Sequence, residues 1–319
     1  MYKVFIDGQA GTTGLRLASR LAGRADVDLI EIPEEERKGL KARLERIAAA
    51  DVAFLCLPDN EAREIISAID PAFADVHIID CSTANRTAEG WVYGMPELFS
   101  VDESAKRISN PGCHATGFIM AVKPLTTAGI VDPEAAVCCH SLTGYSGGGK
   151  AMIAEYEGAG GQAGGSLAAP RQYALAQGHK HLPEMQKYSG LAAAPLFSPI
   201  VCDFYSGMLV CIPLPRSALR RSASVSEVCE TLAGFYEGCG LVKVRQPGAE
   251  YSDVAGSGYL AADAFSGRDD LEIFVTGKDD KIEIVARFDN LGKGASGAAV
   301  QNMNLALGIP GETGLVLGD

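Results

Sequence analysis

The stretch Lys3-Val4-Phe5-Ile6-Asp7-Gly8-Gln9-Ala10-Gly11-Thr12-Thr13-Gly14 decides the fold class. An apolar strand runs into a turn with glycine at every third position, and Thr12–Ala22 then takes up helical spacing. Glycine permits the tight turn and lets backbone approach a pyrophosphate, while the N–H groups of the helix start face anionic oxygens. The spacing is G-x-x-G-x-x-G rather than G-x-G-x-x-G, so context must separate it from an ordinary glycine-rich connection. That context follows at once. Val27–Ile32, Val52–Leu57 and Val76–Asp80 are apolar strands, separated by the helical segments Leu40–Ala49 and Asn60–Ile69. Continuous apolar strands alternating with helices predict a doubly wound α/β domain, its parallel sheet covered on both faces. Gly8, Gly11, Thr12, Thr13 and Gly14 are then candidate dinucleotide contacts. Pro58, and Ser82 in Ser82-Thr83-Ala84-Asn85-Arg86, fall at the same carboxyl edge of the sheet, where ligands of such folds sit. Glu31 suits a ribose 2′-hydroxyl, Arg37 and Lys38 a 2′-phosphate, and these three residues leave the choice between NAD and NADP open.

Composition narrows the function class. The 319 residues make about two domains, and 47% hydrophobic with 21% charged is an ordinary balance. Twenty-eight basic against 40 acidic residues give −12, which opposes a nucleic-acid partner. No apolar run reaches the roughly 18 residues of a membrane span, and the N-terminus reads directly as a strand. Nine cysteines occur without a C-x-x-C pair, and Cys56, Cys138, Cys139, Cys202 and Cys211 lie in apolar runs. That usage fits free thiols in a reducing cytoplasm, with no metal site.

After residue 112 the pattern changes. A helix from His114 to Ala128 precedes a strand near Ala135–Leu142 and a glycine-rich stretch to Gly165, and Val201–Ile212 reads as one strand. Ser224-Val225-Ser226-Glu227 has capping-box spacing and opens a helix to about Gly238. Leu271–Thr276 and Lys281–Phe288 alternate apolar and polar and join at Gly277–Asp280 as an antiparallel hairpin. Gly294–Leu307 is a closing helix rich in small residues. The second domain is therefore α+β, with a largely antiparallel sheet.

One cysteine stands apart from the rest. Ser109-Asn110-Pro111-Gly112-Cys113-His114-Ala115-Thr116-Gly117 places Cys113 at the start of a helix, where the dipole and first-turn N–H groups favour thiolate. The same N–H groups suit an acyl oxyanion on the sulfur. Cys113 is the candidate nucleophile.

Taken together, Gly8–Gly14, Ser109–Gly117, Gly144-Tyr145-Ser146-Gly147-Gly148-Gly149-Lys150 and His179-Lys180-His181-Leu182-Pro183-Glu184 resemble the N-acetyl-γ-glutamyl-phosphate reductase family, in its shorter subfamily. The resemblance covers essentially the full chain. It implies a Rossmann-like NADP-binding domain of residues 1–112 plus 290–319, and a semialdehyde dehydrogenase-like catalytic and oligomerisation domain of residues 113–289. It further implies NADPH-dependent reduction of an acyl phosphate to an aldehyde through a cysteine thioester, in a homo-oligomer, with His181 as acid/base, His179 second, and Glu184 orienting one of them. Residues two apart in an extended segment share a face, so both histidines are expected to reach the site. Imidazole titrates near neutrality, as a proton shuttle requires.

Ser146, Gly147, Gly148 and Lys150 are candidates for a phosphate nest, and Arg216, ahead of Arg171 and Arg287, for the substrate carboxylate. Asn302, with Asn304, is expected on the cofactor side of the closing helix. His114 departs from the aromatic residue that commonly follows the cysteine in this family, and no role is assigned to it. Acyl-phosphate reductases acting on aspartyl or N-acyl-aminoadipyl phosphate, and a non-catalytic dinucleotide sensor, are the competing readings.

Overall fold

The computed structural model describes residues 1–69, 73, 75–158, 167–246, 258–279 and 281–318. The chain forms two compact units, one of Met1–Pro111 with Ala295–Leu315, the other of Gly112–Gly294 with the chain end from Val316.

The first unit begins β1 (Tyr2–Asp7), α1 (Thr12–Leu21), β2 (Val27–Ile30), α2 (Leu40–Ala48), β3 (Val52–Leu55), α3 (Asp59–Ala68) and β4 (His77–Asp80), then β5 (Val92–Tyr93) and β6 (Arg107–Ser109). Its six strands run in the order β2-β1-β3-β4-β6-β5, and every pair is parallel. Alternate residues of each strand feed different cores. Val4, Ile6, Val52, Phe54 and Ile79 pack with Leu17, Leu21, Val300 and Met303, while Phe5, Ala53, Leu55 and Ile78 pack with Ile47 and Ile65. Both faces are thus buried under helices, which is why the strands read as unbroken apolar runs. The strand order reverses about β1, and the Gly8–Gly14 turn leaves its carboxyl end at that switch point.

The second unit holds α4 (Cys113–Thr127), β7 (Cys138–Gly144), α5 (Gly149–Gly158), β8 (Arg171–Gln172), α6 (Leu182–Ser189), β9 (Leu196–Cys202), β10 (Met208–Pro215), α7 (Val225–Phe235), β11 (Val242–Arg245), β12 (Leu271–Lys278) and β13 (Lys281–Phe288). The sheet order is β11-β12-β13-β10-β7-β9-β8. The pairs β11–β12 and β7–β9 are parallel and the rest antiparallel. The chain then returns through a π-type turn, Gly292–Ser296, to the closing helix α8 (Gly297–Ala306) of the first unit.

Helix α4 is buried almost all round, so it carries no amphipathic stripe. Pro124 inside it has no N–H to offer the Met120 carbonyl four residues back. The Tyr236 hydroxyl donates to that carbonyl instead, at 2.7 Å. At α7 the Ser224 hydroxyl accepts from the Glu227 N–H at 3.1 Å, and the Glu227 carboxylate pairs with Arg221 at 2.6 Å.

One expectation is corrected. Val201–Ile212 is not one strand. It spans the end of β9 and most of β10, separated by a turn in which Gly207 takes φ +126°, and β7 lies between the two strands in the sheet. A side chain at Gly207 would meet the Ala262 carbonyl, a contact made by residues far along the chain. Within the glycine-rich stretch Tyr145–Gly148 is a 3-10 turn that leads into α5. The end of that stretch, 159–166, and Asp280 of the hairpin turn lie outside the described residues.

Candidate functional site

In the first unit the Gly8–Gly14 turn is built as a cradle. Gly8 has φ +81°, and a Cβ there would lie 2.2 Å from the Cys56 carbonyl oxygen. A Cβ on Gly14 would press on the Gly8 carbonyl at 2.5 Å. The N-cap of α1 is Gly11, with no side-chain cap over the helix start, so the first-turn N–H groups of Thr12, Thr13 and Gly14 have no intrahelical acceptor. A bare helix N-terminus behind a turn that excludes side chains fits the pyrophosphate of a nicotinamide dinucleotide. Pro58, the N-cap of α3, and Ser82, just past β4, lie at the same carboxyl edge. Ser82 is held in place, its N–H on Asp80 Oδ1 at 2.8 Å and its hydroxyl accepting from the Ala84 N–H.

Near this edge Asp7 and Arg43 form a buried ion pair, with Nε 2.9 Å from Oδ2. Burial pushes the Asp7 carboxyl up, against the pull of the Arg43 charge and hydrogen bond. Glu31, Arg37 and Lys38 are all exposed, and Arg37 lies 4.0 Å from Glu34. Asn302 is buried, its Nδ2 donating to the Gly94 carbonyl at 2.9 Å and to Asn110 Oδ1 at 3.2 Å. Asn304 is held by Arg24 and by the carbonyls of Gly311 and Thr313. The structure thus gives both asparagines fold-holding partners.

In the second unit Cys113 is the first residue of α4, behind the N-cap Gly112. A Cβ on Gly294 would stand 2.9 Å from the Cys113 Cβ, so the segment leaving β13 packs directly against Cys113. The buried carboxylate of Glu184, on α6, accepts from the Gly112 N–H at 3.1 Å. His181 is not in an extended segment. It is the N-cap of α6 with helical backbone, and the turn from His179 to Leu182 is closed by a 3.0 Å backbone hydrogen bond. The His181 N–H donates to His179 Nδ1 at 3.2 Å, which leaves the proton of a neutral His179 ring on Nε2. The two rings meet edge to face with centroids 4.6 Å apart.

His114 joins these parts. Its ring centroid lies 5.5 Å from His179, 5.6 Å from His181 and 5.2 Å from Phe197. It is buried, with Nδ1 2.7 Å from Ser141 Oγ and Nε2 2.8 Å from the Tyr173 hydroxyl. Burial, with the charges of His179 and Lys180, takes His114 down to about 3. Burial, with the charge of Cys113, pushes the Tyr173 phenol well up. Cys113, His179, His181 and Glu184 are thus gathered about the start of α4, and Tyr173, Ser141 and Phe197 join them. Tyr173 escapes sequence reading because β8, just before it, has only two residues and carries no periodicity, and Ser141 on β7 and Phe197 on β9 escape it because only packing between distant residues sets them against His114.

The low value for His114 has a consequence for stability. Below its ordinary 6.5 an unfolded His114 takes up a proton that the folded chain refuses until about 3. The unfolded state binds more protons across that window, so stability falls as pH falls. From pH 7.5 to 5 this one residue should cost about 2 kcal/mol. Urea unfolding at both pH values should show a loss about 2 kcal/mol larger in the wild type than in His114→Phe. His77, also lowered by burial, is common to both proteins.

The glycine-rich segment is more engaged than a loop. The N–H groups of Gly144, Tyr145 and Ser146 are spent on the carbonyls of Gly207, Phe204 and Tyr205. The Ser146 hydroxyl accepts from Asn290 Nδ2 at 3.1 Å. Gly147 and Gly148 lead into α5, whose second residue is the exposed Lys150. Among the arginines, Arg216 is not brought to Cys113. It lies six residues beyond Val210, the residue on β10 that faces Gly117 of α4, and so about 20 Å along the strand. Arg287 is buried on Glu272 at 2.8 Å. Arg171, two residues before Tyr173, donates to the Tyr156 hydroxyl at 2.8 Å.

All nine cysteines are free. Among the described residues, no group of three or more His, Cys, Asp or Glu is set to hold a metal, and no helix is long and apolar enough to cross a membrane.

Comparison with known proteins agrees with this division. Residues 3–105 match the family described as semialdehyde dehydrogenase, NAD binding domain, and residues 113–290 match semialdehyde dehydrogenase, dimerisation domain. N-acetyl-gamma-glutamyl-phosphate reductase 2 of Nostoc sp. is 45% identical over 98% of this chain and 99% of its own. Its namesake in Pseudomonas putida is 41% identical over 96% of each. In fold, the chain resembles aspartate semialdehyde dehydrogenase II from Vibrio cholerae, with a TM-score of 0.68, 16% identity, and 96% of this chain and 98% of that one covered. A probable aspartate-semialdehyde dehydrogenase from Pseudomonas aeruginosa gives 0.70 at 15% identity, with the same coverage. With a nucleotide cradle in one unit and a helix-leading cysteine among histidines in the other, this oxidoreductase belongs to the semialdehyde dehydrogenase family, among the N-acetyl-gamma-glutamyl-phosphate reductases.

Proposed function

We propose that the chain reduces N-acetyl-L-glutamyl 5-phosphate to N-acetyl-L-glutamate 5-semialdehyde, with release of phosphate and NADPH as reductant, in arginine biosynthesis. The observation that carries this reading is Cys113 at the head of α4, with Glu184 on the preceding N–H and the His114, His179 and His181 rings packed together beside it. The Cys113 sulfur attacks the acyl carbon, the bond from that carbon to the phosphate oxygen breaks, and phosphate leaves a thioester on the protein. The bound dinucleotide supplies a hydride. His181, steadied by His179, holds the proton that the thiohemiacetal oxygen gains and gives up as the carbon–sulfur bond breaks and the aldehyde departs. Glu184 fixes the Gly112 N–H and with it the angle at which α4 begins.

Gly8, Gly11, Thr12, Thr13 and Gly14 hold the pyrophosphate, with Pro58 and Ser82 beside them, and Arg37 and Lys38 meet the 2′-phosphate of NADP. The start of α5 at Gly149–Lys150, with Ser146, Gly147 and Gly148 before it, receives the substrate's phosphate. Arg171, on the strand leading to Tyr173, replaces Arg216 as our choice for the α-carboxylate. The chain works in the cytoplasm as a homo-oligomer through its dimerisation domain.

The test runs the reaction in reverse, with N-acetylglutamate semialdehyde, phosphate and NADP, and with the shorter aspartyl and longer aminoadipyl aldehydes alongside. Phosphate-dependent formation of reduced nicotinamide, fastest with the glutamyl aldehyde and with NADP over NAD, is expected. One methylene is worth only about 1–3 kcal/mol in a pocket, so the aminoadipyl arm is the stringent one. Preference for another aldehyde overturns the substrate. Silence with all three, from folded protein that binds NADP, overturns the catalytic reading in favour of a sensor.

A further inference from the structure

Beside the nucleophile the reaction just described leaves three polar side chains without a role: Ser141 on β7, His114 on α4 and Tyr173 just after β8. They form a line, Ser141 Oγ to His114 Nδ1 at 2.7 Å and His114 Nε2 to the Tyr173 hydroxyl at 2.8 Å. Among the described residues no other group hydrogen-bonds the serine hydroxyl, the imidazole or the phenol oxygen.

Proton bookkeeping gives the line a direction. A buried neutral imidazole carries one ring proton and accepts at the other nitrogen. The Ser141 hydroxyl is fully buried, and Nδ1 is the acceptor within its reach. If Nδ1 carried the proton instead, the serine hydrogen would be buried with no acceptor, which proteins avoid. Ser141 therefore donates to Nδ1, the ring proton sits on Nε2, and Nε2–H donates to the Tyr173 oxygen. The phenol proton is then left over. Tyr173 is only half-buried, and its hydroxyl is held at 2.8 Å by His114, the residue that follows Cys113 in the first turn of α4.

We infer that Ser141, His114 and Tyr173 form a one-way hydrogen-bond chain that presents the Tyr173 hydroxyl as a donor to the oxygen of the acyl group carried on Cys113. Tyr173 touches the reacting group, and His114 is a positioning residue acting through it. The inference deepens the proposed function, since it rests on Cys113 carrying an acyl group. The His114 ring packs against Phe197, and its two nitrogens orient a donor.

Two assays test it on His114→Phe, Tyr173→Phe, the double variant and His114→Gln, with thermal melts confirming the fold of each. One is steady-state reduction of N-acetylglutamyl phosphate. The other is acylation of Cys113 by p-nitrophenyl acetate without cofactor, with Cys113→Ser as the blank, since that acylation also builds an oxyanion on the sulfur-bound carbon. Each phenylalanine variant should lose about 10- to 100-fold in kcat and in acylation rate, with KM within about twofold. The double variant should be no slower than Tyr173→Phe, because the two residues act as one unit. His114→Gln, whose side-chain amide can reach Tyr173 as a donor, should recover most of the loss.

Rates within twofold of wild type in His114→Phe, losses that multiply in the double variant, or a glutamine variant no better than phenylalanine would each overturn the chain. A wild type that acylates at Cys113 yet does not reduce N-acetylglutamyl phosphate overturns the proposed substrate, and the acylation arm still judges the chain. A wild type that does neither overturns both.

Discussion

Cys113→Ser should lose reductase turnover by at least about a thousandfold while melting within a degree or two of wild type. The substitution changes one atom at the head of α4, and the Cβ, which Gly294 packs against, stays where it is. What goes is the nucleophile. A thiol ionises near neutrality when a helix N-terminus and neighbouring donors favour its anion, whereas a serine hydroxyl does not. The N–H groups of the first turn survive, so substrate binding should too, and the loss should appear in kcat rather than KM. The other cysteines supply the control. Burial pushes Cys139, Cys202, Cys211 and Cys229 up, and Cys56 is raised by its hydrogen bond to Cys81 and by burial. Limited iodoacetamide treatment followed by mass spectrometry should therefore label Cys113 ahead of those five and abolish turnover in step with that label. Phosphate-dependent aldehyde oxidation retained by Cys113→Ser would sink the thioester mechanism.

The second large effect belongs to the dinucleotide turn. Gly8→Ala should lower the affinity for NADPH by about 100-fold and destabilise the chain by about 2–4 kcal/mol. The added methyl would stand 2.2 Å from the Cys56 carbonyl oxygen, on backbone at φ +81°, and the backbone at Cys56, pinned by its N–H to the Asp7 carbonyl, cannot easily swing aside. The turn must open, and the helix N-terminus that faces the pyrophosphate moves with it. Gly11→Ala is the contrast. Its methyl meets nothing closer than the Gly8 carbonyl at 3.3 Å, and Gly11 sits at φ −73°, which any residue adopts. It should keep a near-wild-type melting temperature and still bind the dinucleotide more weakly, because the methyl occupies space that the phosphates need. Calorimetric melts and NADPH fluorescence titrations separate the two. Equal melting temperatures for both variants would mean that Gly8 serves the ligand alone.

Much of the molecule was legible before any coordinate. The apolar runs of β1, β3 and β4, the helix opening at Thr12, the Ser224 cap and the β12–β13 hairpin each express a rule that acts over a few neighbouring residues, and each is in the structure. Cys113 at the head of a helix was legible for the same reason, since Pro-Gly before an apolar run sets a helix start locally. The break between β9 and β10 was not, because the apolar pattern runs on through the turn and the space at Gly207 is set by Ala262. His179 and His181 were found by motif, but the geometry expected for them was wrong. Pro183 and Glu184 begin a helix there, and His181 becomes its N-cap.

By itself the sequence determined the doubly wound first unit, the α+β second unit, the glycine turn before the first helix and the cysteine at the head of α4. Only the tertiary structure decided the seven-strand order, the loss of Arg216 from the candidate site, the fold-holding partners of Asn302 and Asn304, and the line from Ser141 through His114 to Tyr173. The physical reason is range. Backbone propensity, capping and apolar periodicity are written within one turn or one strand, whereas a hydrogen bond between residues 59 positions apart, such as that from His114 to Tyr173, exists only once strands and helices have packed and excluded the water that would otherwise hold both groups.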